Sequence, residues 1–343
     1  MIVGAGLAGS TLALELEQRG GSFVLLDNQF PNSSSRIAAG LLNPIVPKGV
    51  RKTWQCNQLF PAVYGYYQAW EALLNEQFIH NYPFLNIHAN ASETQEWRKR
   101  LNDPEMLAWL TADDRSSFPE IPREHATWVN HCGRLDVSRF LQCVQLHLED
   151  LGIYEKGEFH HKACLRTEEG WMYQSRYYRA IVFCEGVGIL NNPWFNDLFF
   201  DPTGGDILKV YIPNLGEHPC IIKQKQWIVP TGEKDIYLLG SNFHKNTLSC
   251  QPDQADANKL LKRAEEITQQ KVTLLEHRRG VRPTVQQRRP YLGEHPTEKG
   301  LFVFNGLGAK GSSLCSWLSP IMADHILQGS PIPNEVDIQR QPM

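Results

Sequence analysis

Two glycine patterns, one near each end of the chain, carry the most direct chemical signal in this sequence. Gly4, Gly6 and Gly9 form G-x-G-x-x-G within Gly4-Ala5-Gly6-Leu7-Ala8-Gly9, and Asp27 follows. In this pattern the first glycine permits a tight turn, the second lets backbone approach a pyrophosphate, and the third lets a helix pack on a strand. The free N–H groups of the helix start attract the anion. A carboxylate at Asp27, about twenty residues on, accepts hydrogen bonds from a ribose diol. Such a unit binds NAD or the AMP half of FAD, and these residues do not choose between them.

Gly306, Gly308 and Gly311 repeat the spacing near the C-terminus. The chain beyond Gly311 holds no clear second strand with an acidic residue, so a second dinucleotide fold is not expected. This helix start reads instead as aimed at another part of the same ligand. Reduced flavin carries negative charge near N1 and the C2 carbonyl, and the positive end of a helix stabilises it there.

Other chemistries find less support. The histidines lack helix-spaced pairs, and His160 and His161, in an expected strand, point to opposite faces, so no metal site is expected. No G-x-S-x-G or P-loop supports nucleophilic hydrolysis or phosphoryl transfer. The eight cysteines form no C-x-x-C pair and read as reduced, buried thiols. The N-terminus, MIVGAGLAGS, lacks the features of a signal peptide, which makes a cytoplasmic location the expectation. No apolar run approaches the roughly 18 residues of a membrane helix. A net charge of −3 gives no global basic field for nucleic acid.

The elements that position the motifs follow from periodicity. Met1–Val3 is a very short strand, Ser10–Arg19 a helix ended by Gly20-Gly21, and Phe23–Leu26 a strand closing on Asp27. A polar Ser-rich turn, 32–36, leads to small apolar residues. Phe60, Tyr64, Tyr67 and Trp70 mark a long helix over 58–78 and read as core; Trp54, Tyr64 and Tyr67 are secondary candidates for a substrate cage. The stretch 85–130 is mixed and includes the Pro-bearing 118–122. Val137–Leu148 is an amphipathic helix. Strand-like pieces follow at 153–166 and 171–178, and Ala180–Cys184 is a buried strand.

Between 203 and 245, short strands separated by turn residues favour an antiparallel sheet. Helix is expected at 255–269, strand at 271–281, a buried strand at 301–304 and a helix from Gly311 to about Leu327. The fold class is therefore α/β (α+β overall): a Rossmann-like nucleotide domain assembled from separated segments, with an inserted antiparallel-sheet domain. The expected division gives 1–60, 131–200 and 285–343 to the nucleotide and 61–130 and 201–284 to a substrate or cap domain.

Read together, these motifs resemble the FAD-dependent oxidoreductases of the D-amino-acid oxidase and glycine oxidase family, over nearly the whole chain. The resemblance rests on GAGLAG with Asp27, Ser34-Ser35 through Ala39-Gly40, Gly133-Arg134-Leu135-Asp136 and Ile181 to Gly186. It continues with Pro202-Thr203-Gly204-Gly205, Gly280-Val281-Arg282-Pro283 and Asn305 to Gly311. The short first strand and Glu185 depart from the family pattern, and the middle region is only loosely similar. The resemblance implies a nucleotide domain of the glutathione-reductase type and FAD as cofactor. It places Asp27 and Asn28 beside the adenosine ribose, and Ser34, Ser35, Ala39, Gly40 and Leu41 along the pyrophosphate and flavin. Phe159 falls near the adenine, Gly186 belongs to the cofactor set, and Leu307, Gly308, Ala309, Lys310, Gly311 and Ser312 wrap the flavin's pyrimidine edge.

Arg278, Arg279, Arg282, Arg288 and Arg289 by themselves read as a solvated basic face. The resemblance turns Arg282 into a ligand for a substrate carboxylate, which a guanidinium grips through two parallel hydrogen bonds. If 276–282 is a strand, Arg278 and Arg282 share a face and Arg279 points away. Lys310 is a second candidate cation. The activity implied is oxidation of the C–N bond of a small amine or amino acid, by hydride transfer to flavin N5, with O2 or another acceptor reoxidising FAD. The same family includes a tRNA-modifying oxidoreductase domain, that of the 5-carboxymethylaminomethyl-uridine enzyme, which the Gly-Ala-Lys-Gly loop partly resembles. A flavin-binding protein with little catalysis is the other alternative. Substrate identity, stereochemistry, electron acceptor and oligomeric state are not legible.

Overall fold

A computed structural model describes residues 1–112, 125–215 and 219–340. Six helices are used as landmarks: α1 (Leu7–Gln18), α2 (Cys56–Leu74), α3 (Ala91–Leu101), α4 (Val137–Asp150), α5 (Gln254–Thr268) and α6 (Gly311–Gln328).

A six-stranded sheet is drawn from distant parts of the chain, in the order 154–156, 25–27, 2–3, 181–183, 301–305 and 291–294. The first five strands run parallel, and 291–294 pairs antiparallel at the edge. The central strands, 2–3, 181–183 and 301–305, are buried on both faces, which is why they read as unbroken apolar runs. Alternation sends Ile2 into one core with α1, α4 and α6, and Met1 and Val3 into a second core. That second core is aromatic, built around Phe159, Trp171, Tyr173, Phe183 and Phe195. Thr11 and Ser319 share a hydrogen bond of 2.7 Å between α1 and α6, so helices from opposite ends of the chain lie against each other.

The second sheet has nine strands. Its path is 244–245, 203–211, 236–240, 227–230, 221–223, 84–87, 126–129 and 110–112, with 273–282 also paired to 203–211. All its pairings are antiparallel except 221–223 with 84–87, which is parallel. No hairpin joins those two strands, so nothing local fixes their relative direction. One face packs Leu208, Val210 and Leu239 against Ala257, Leu260 and Ala264 of α5. The other face looks toward the α1 and α6 starts.

Three expectations need correction. The stretch 153–166 is not one strand. It is broken into 154–156, a 3-10 turn at His161–Ala163 and 165–166, because Gly157 ends the first ladder and the Tyr173 hydroxyl takes the backbone N–H of His160. His160 and His161 therefore do not alternate across a strand. The long helix stops at Leu74, not at 78. Asn75 takes a left-handed conformation at φ 51°, and 79–81 instead pairs with 133–135. The expected antiparallel domain contains the one parallel pairing noted above. The Pro-bearing 118–122 lies outside the described residues.

Candidate active site

The two glycine motifs open onto one cavity. It has a volume of about 1010 Å³ and runs from Asp27 to Arg282. This lies at the top of the roughly 300–1,000 Å³ range of small-molecule pockets. At one end α1 starts at Gly6, and at the centre α6 starts at Lys310; neither start has a side-chain cap. By contrast α3, α4 and α5 are capped by Asn90, Asp136 and Asp253. The first-turn N–H groups of α1 and α6 are thus available to a ligand. A Cβ on Gly311 would come within 3.1 Å of the Leu7 side chain, so the two starts meet.

At the first turn, contact requires glycine at position 9 and leaves little room at position 6. A Cβ on Gly9 would sit 1.9 Å from the Gly4 carbonyl oxygen, and one on Gly6 would sit 3.1 Å from the Ser35 hydroxyl. Gly4, Gly6, Leu7 and Ala8 line the cavity, whereas Gly9 lies behind it, where helix packs on strand. Asp27 ends its strand with one carboxylate oxygen accepting from Ala5 N–H at 2.9 Å and the other from Gln29 N–H at 3.0 Å. Arg36 stands 3.4 Å from the same carboxylate. The Leu7 N–H donates to the Ser35 hydroxyl at 3.1 Å.

Asn28, Ser34, Ser35, Ala39, Gly40, Leu41, Phe159 and Gly186 line the same cavity, as do Leu307, Gly308, Ala309, Lys310, Gly311 and Ser312. The Asn305 amide ties this second glycine loop to Gly186 O at 2.9 Å. Glu185 accepts from the Asn192 amide at 2.8 Å and pairs with His161 Nε2 at 3.0 Å. Lys310 Nζ donates to the Asn43 carbonyl at 3.0 Å, and burial pushes its pKa down to about 8, against smaller upward pulls from Cys56 and Cys132.

At the far end the wall is the face of the nine-stranded sheet. Arg282 projects over Gly205, where a Cβ would lie 2.3 Å from its guanidinium. It donates to Ser241 Oγ at 2.9 Å and to Gly204 O at 3.3 Å, and Phe243 stacks on it at 4.8 Å. Burial pushes its pKa down to about 10, with only Asp206 pulling back. Asp206 occupies the opposite face of the sheet. Its carboxylate is taken up by Arg279 at 2.6 Å, His277 at 2.7 Å and the Asn242 amide at 2.6 Å. Arg279 thus points away from Arg282, as the strand spacing predicts. Asp206, His244 and Asp256 bring donor atoms within 4.8 Å of one another, but Arg279 bridges the two carboxylates.

Phe60, Tyr67 and Trp70 are buried core, and the Tyr67 hydroxyl donates to Ser312 O at 2.7 Å. Trp54, Tyr64 and Tyr67 do not line the cavity, so none forms a substrate cage. Sequence reasoning missed Lys223, Trp227, Ser241 and Phe243, which line the far end. No motif marks them; strand register brings Lys223 and Trp227 to this face, and the link after Gly240 brings Ser241 and Phe243.

The residues present fit FAD. Two uncapped helix starts, a glycine-enforced cradle and a strand-end carboxylate share one elongated cavity. Solved structures with this fold include a glycine oxidase from Geobacillus kaustophilus, with a TM-score of 0.79 and 18% identity, covering 96% of this chain and 94% of that one. An iminodiacetate oxidase from Chelativorans sp. BNC1 gives 0.75 and 18%, covering 99% and 98%. An L-amino acid deaminase from Proteus vulgaris gives 0.78 and 11%, covering 99% and 96%. Among the described residues, no helix is long and apolar enough to cross a membrane. The sequence model of the FAD dependent oxidoreductase family, DAO, matches residues 1–325, and the chain belongs to that family of FAD-dependent enzymes.

Proposed function

We propose that the enzyme oxidises the C–N bond of a small amine or amino acid that carries a carboxylate. The observation that carries this reading is Arg282, a cation held in the cavity wall by Ser241 Oγ and a backbone carbonyl, with its carboxylate neighbour on the other side of the sheet. A guanidinium so placed fits a carboxylate entering from the cavity. The names of the neighbouring structures, an oxidase of glycine, an oxidase of iminodiacetate and a deaminase of L-amino acids, support the same substrate class.

In this reading Asp27 and Asn28 hold the adenosine, the α1 start with Ser34 and Ser35 the pyrophosphate, and Ala39–Leu41 with Leu307–Ser312 the flavin. These segments fall within 1–60, 131–200 and 285–343, and the substrate wall within 201–284. FAD, when bound, supplies at flavin N5 the acceptor for a hydride. The protein's own part is placement. Arg282 fixes the carboxylate, which leaves the adjacent C–H bond few orientations. An amine that binds uncharged drives the reaction with its own lone pair, so no side-chain base is required. The substrate end agrees: among the described residues its lining includes no carboxylate and no histidine.

Anaerobic mixing with a panel of amines and amino acids tests this. Loss of the yellow flavin absorbance with a carboxylated amine is the expected result. Failure of every carboxylated amine to bleach the enzyme would sink it, as would an Arg282→Ala variant that handles them as well as the parent.

A further inference from the structure

The cavity is charged asymmetrically. Its carboxylates, Asp27, Glu158 and Glu185, all come from the strand ends and loops of the nucleotide end. The wall around Arg282 is lined instead by Lys223, Arg288 and Lys310, with no acidic residue among them. Arg288 is exposed at the rim, and Lys310 Nζ is engaged with Asn43 O beside the α6 start. Lys223 is different. It is a half-buried lysine in the middle of a sheet, and its ammonium donates to the adjacent Gln224 carbonyl. Burial pushes its pKa down, and Glu93, the carboxylate that bears on it, only partly offsets this. A lysine that a strand places in a cavity wall at such a cost calls for a function.

Register fixes its position relative to Arg282. Lys223 pairs with Trp227, and Trp227 pairs with Gly240. Paired residues project to the same face of a sheet. The Trp227 ring lies over Gly240, where a Cβ would meet it at 2.8 Å. Ser241, the next residue, holds the Arg282 guanidinium. Lys223 and Arg282 thus lie on either side of one indole, on strands four spacings or about 19 Å apart, and the Arg282 side chain leans back across Gly205 to Ser241, toward the indole.

We propose that Lys223 is a second anion-binding residue, and that the preferred substrate is an amine with two acid groups: one on Arg282, the other on Lys223, with the carbon chain between them along Trp227. This rests on the proposed function and narrows its substrate class.

The test uses the FAD-loaded enzyme and pairs of compounds that differ by one terminal carboxylate: norleucine against 2-aminopimelate, and N-butylglycine against N-(4-carboxybutyl)glycine. Binding is read from perturbation of the flavin spectrum and turnover from anaerobic bleaching. One charge-assisted hydrogen bond corresponds to a preference of about ten-fold or more for the better-placed diacid. Lys223→Gln is expected to bring that preference within about two-fold by weakening the diacid more than its mono-acid partner, and Lys223→Arg to retain most of it. No diacid preference in the parent, or a preference that survives in Lys223→Gln, overturns the proposal. Tighter diacid binding that is lost in Lys223→Gln, with no compound bleaching the flavin, would uphold this site and reject amine oxidation.

Discussion

The nucleotide end and the substrate end of the cavity are built on different principles. At the nucleotide end, backbone does the work. Gly4, Gly9 and Gly40 bring peptide groups into contact that a single methyl would prevent, and Asp27 is oriented by two backbone N–H groups. At the substrate end, side chains do the work. Arg282, Lys223 and Trp227 converge from three strands of a sheet, with Ser241 just past the end of a fourth, and Arg282 joins the others only through the pairing of 203–211 with 273–282. A backbone cradle tolerates no change of shape and fixes one ligand. A side-chain wall can be rewritten residue by residue without disturbing the sheet beneath it.

The sharpest way to break this contrast is to put a methyl into the cradle. Gly40 has φ 70°, and a Cβ there would lie 1.8 Å from the Leu135 carbonyl oxygen. Gly40→Ala is expected to lose about 1–3 kcal/mol to overpacking, with about 1–2 kcal/mol more from the left-handed backbone. The variant should purify poorly and colourless. Gly20 has the same φ and open space around it, so Gly20→Ala isolates the backbone cost and should stay yellow. Flavin content and thermal unfolding measure both. A yellow Gly40→Ala protein with parental stability would show that the cradle is not backbone-determined.

Lys310 stands where the two ends meet, and its titration tests how dry that junction is. Burial lowers its pKa from 10.5 to about 8. The folded chain therefore releases this proton before the unfolded chain does. Between about pH 8 and the unfolded value, the unfolded state holds more protons and stability rises with pH. At about 1.4 kcal/mol per unit, the rise is about 3 kcal/mol. It should appear as the stability difference between the FAD-free parent and Lys310→Met, followed from pH 7 to 10.5 by denaturant unfolding. A flat difference would mean that water reaches the ammonium group.

Arg282→Ala probes the substrate end alone. The change removes a cation whose burial is unfavourable and which meets no carboxylate on its own face. Flavin content and melting temperature are expected to hold, while binding of carboxylated amines weakens about 10- to 100-fold, the range for a hydrogen bond to a charged group. Amines without a carboxylate should be affected little. A loss of flavin would show that the two ends are mechanically coupled after all.

The same contrast sets what could be read from the sequence. The nucleotide end was legible because backbone geometry leaves glycines at fixed spacing, and because strands buried on both faces leave apolar runs such as 181–183 and 301–305. Arg282 was legible only through Gly280-x-Arg282-Pro283 and the resemblance it supports. Lys223 and Trp227 were not, since a lysine before a turn and a tryptophan after it look like any hairpin. Only the pairing to Gly240 shows that they share the cavity face. The break at 157–163 was missed for a related reason: a tertiary hydrogen bond from the His160 N–H to the Tyr173 hydroxyl, not local preference, takes the backbone of His160 out of the ladder.

The smallest expected effect is the most discriminating for the nucleotide end. Among the described residues, Arg36 is the cation paired with Asp27, at 3.4 Å, and its side chain is 28% exposed. If side-chain charge oriented the Asp27 carboxylate, Arg36→Ala would release it and the adenosine would be lost. The geometry says otherwise. Ala5 N–H holds one carboxylate oxygen at 2.9 Å and Gln29 N–H the other at 3.0 Å, both shorter than the contact to Arg36. A partly exposed pair of this kind contributes about 0–1 kcal/mol and weakens as salt screens it. Arg36→Ala should therefore keep its yellow colour, lose at most about 1 kcal/mol of stability, and differ from the parent less as ionic strength rises. Titrating FAD back into stripped parent and variant protein at low and high salt reads this directly. A variant that binds FAD far more weakly at both salt concentrations would place Arg36 on the nucleotide itself, and the cradle would then owe its grip to a side chain as much as to its glycines.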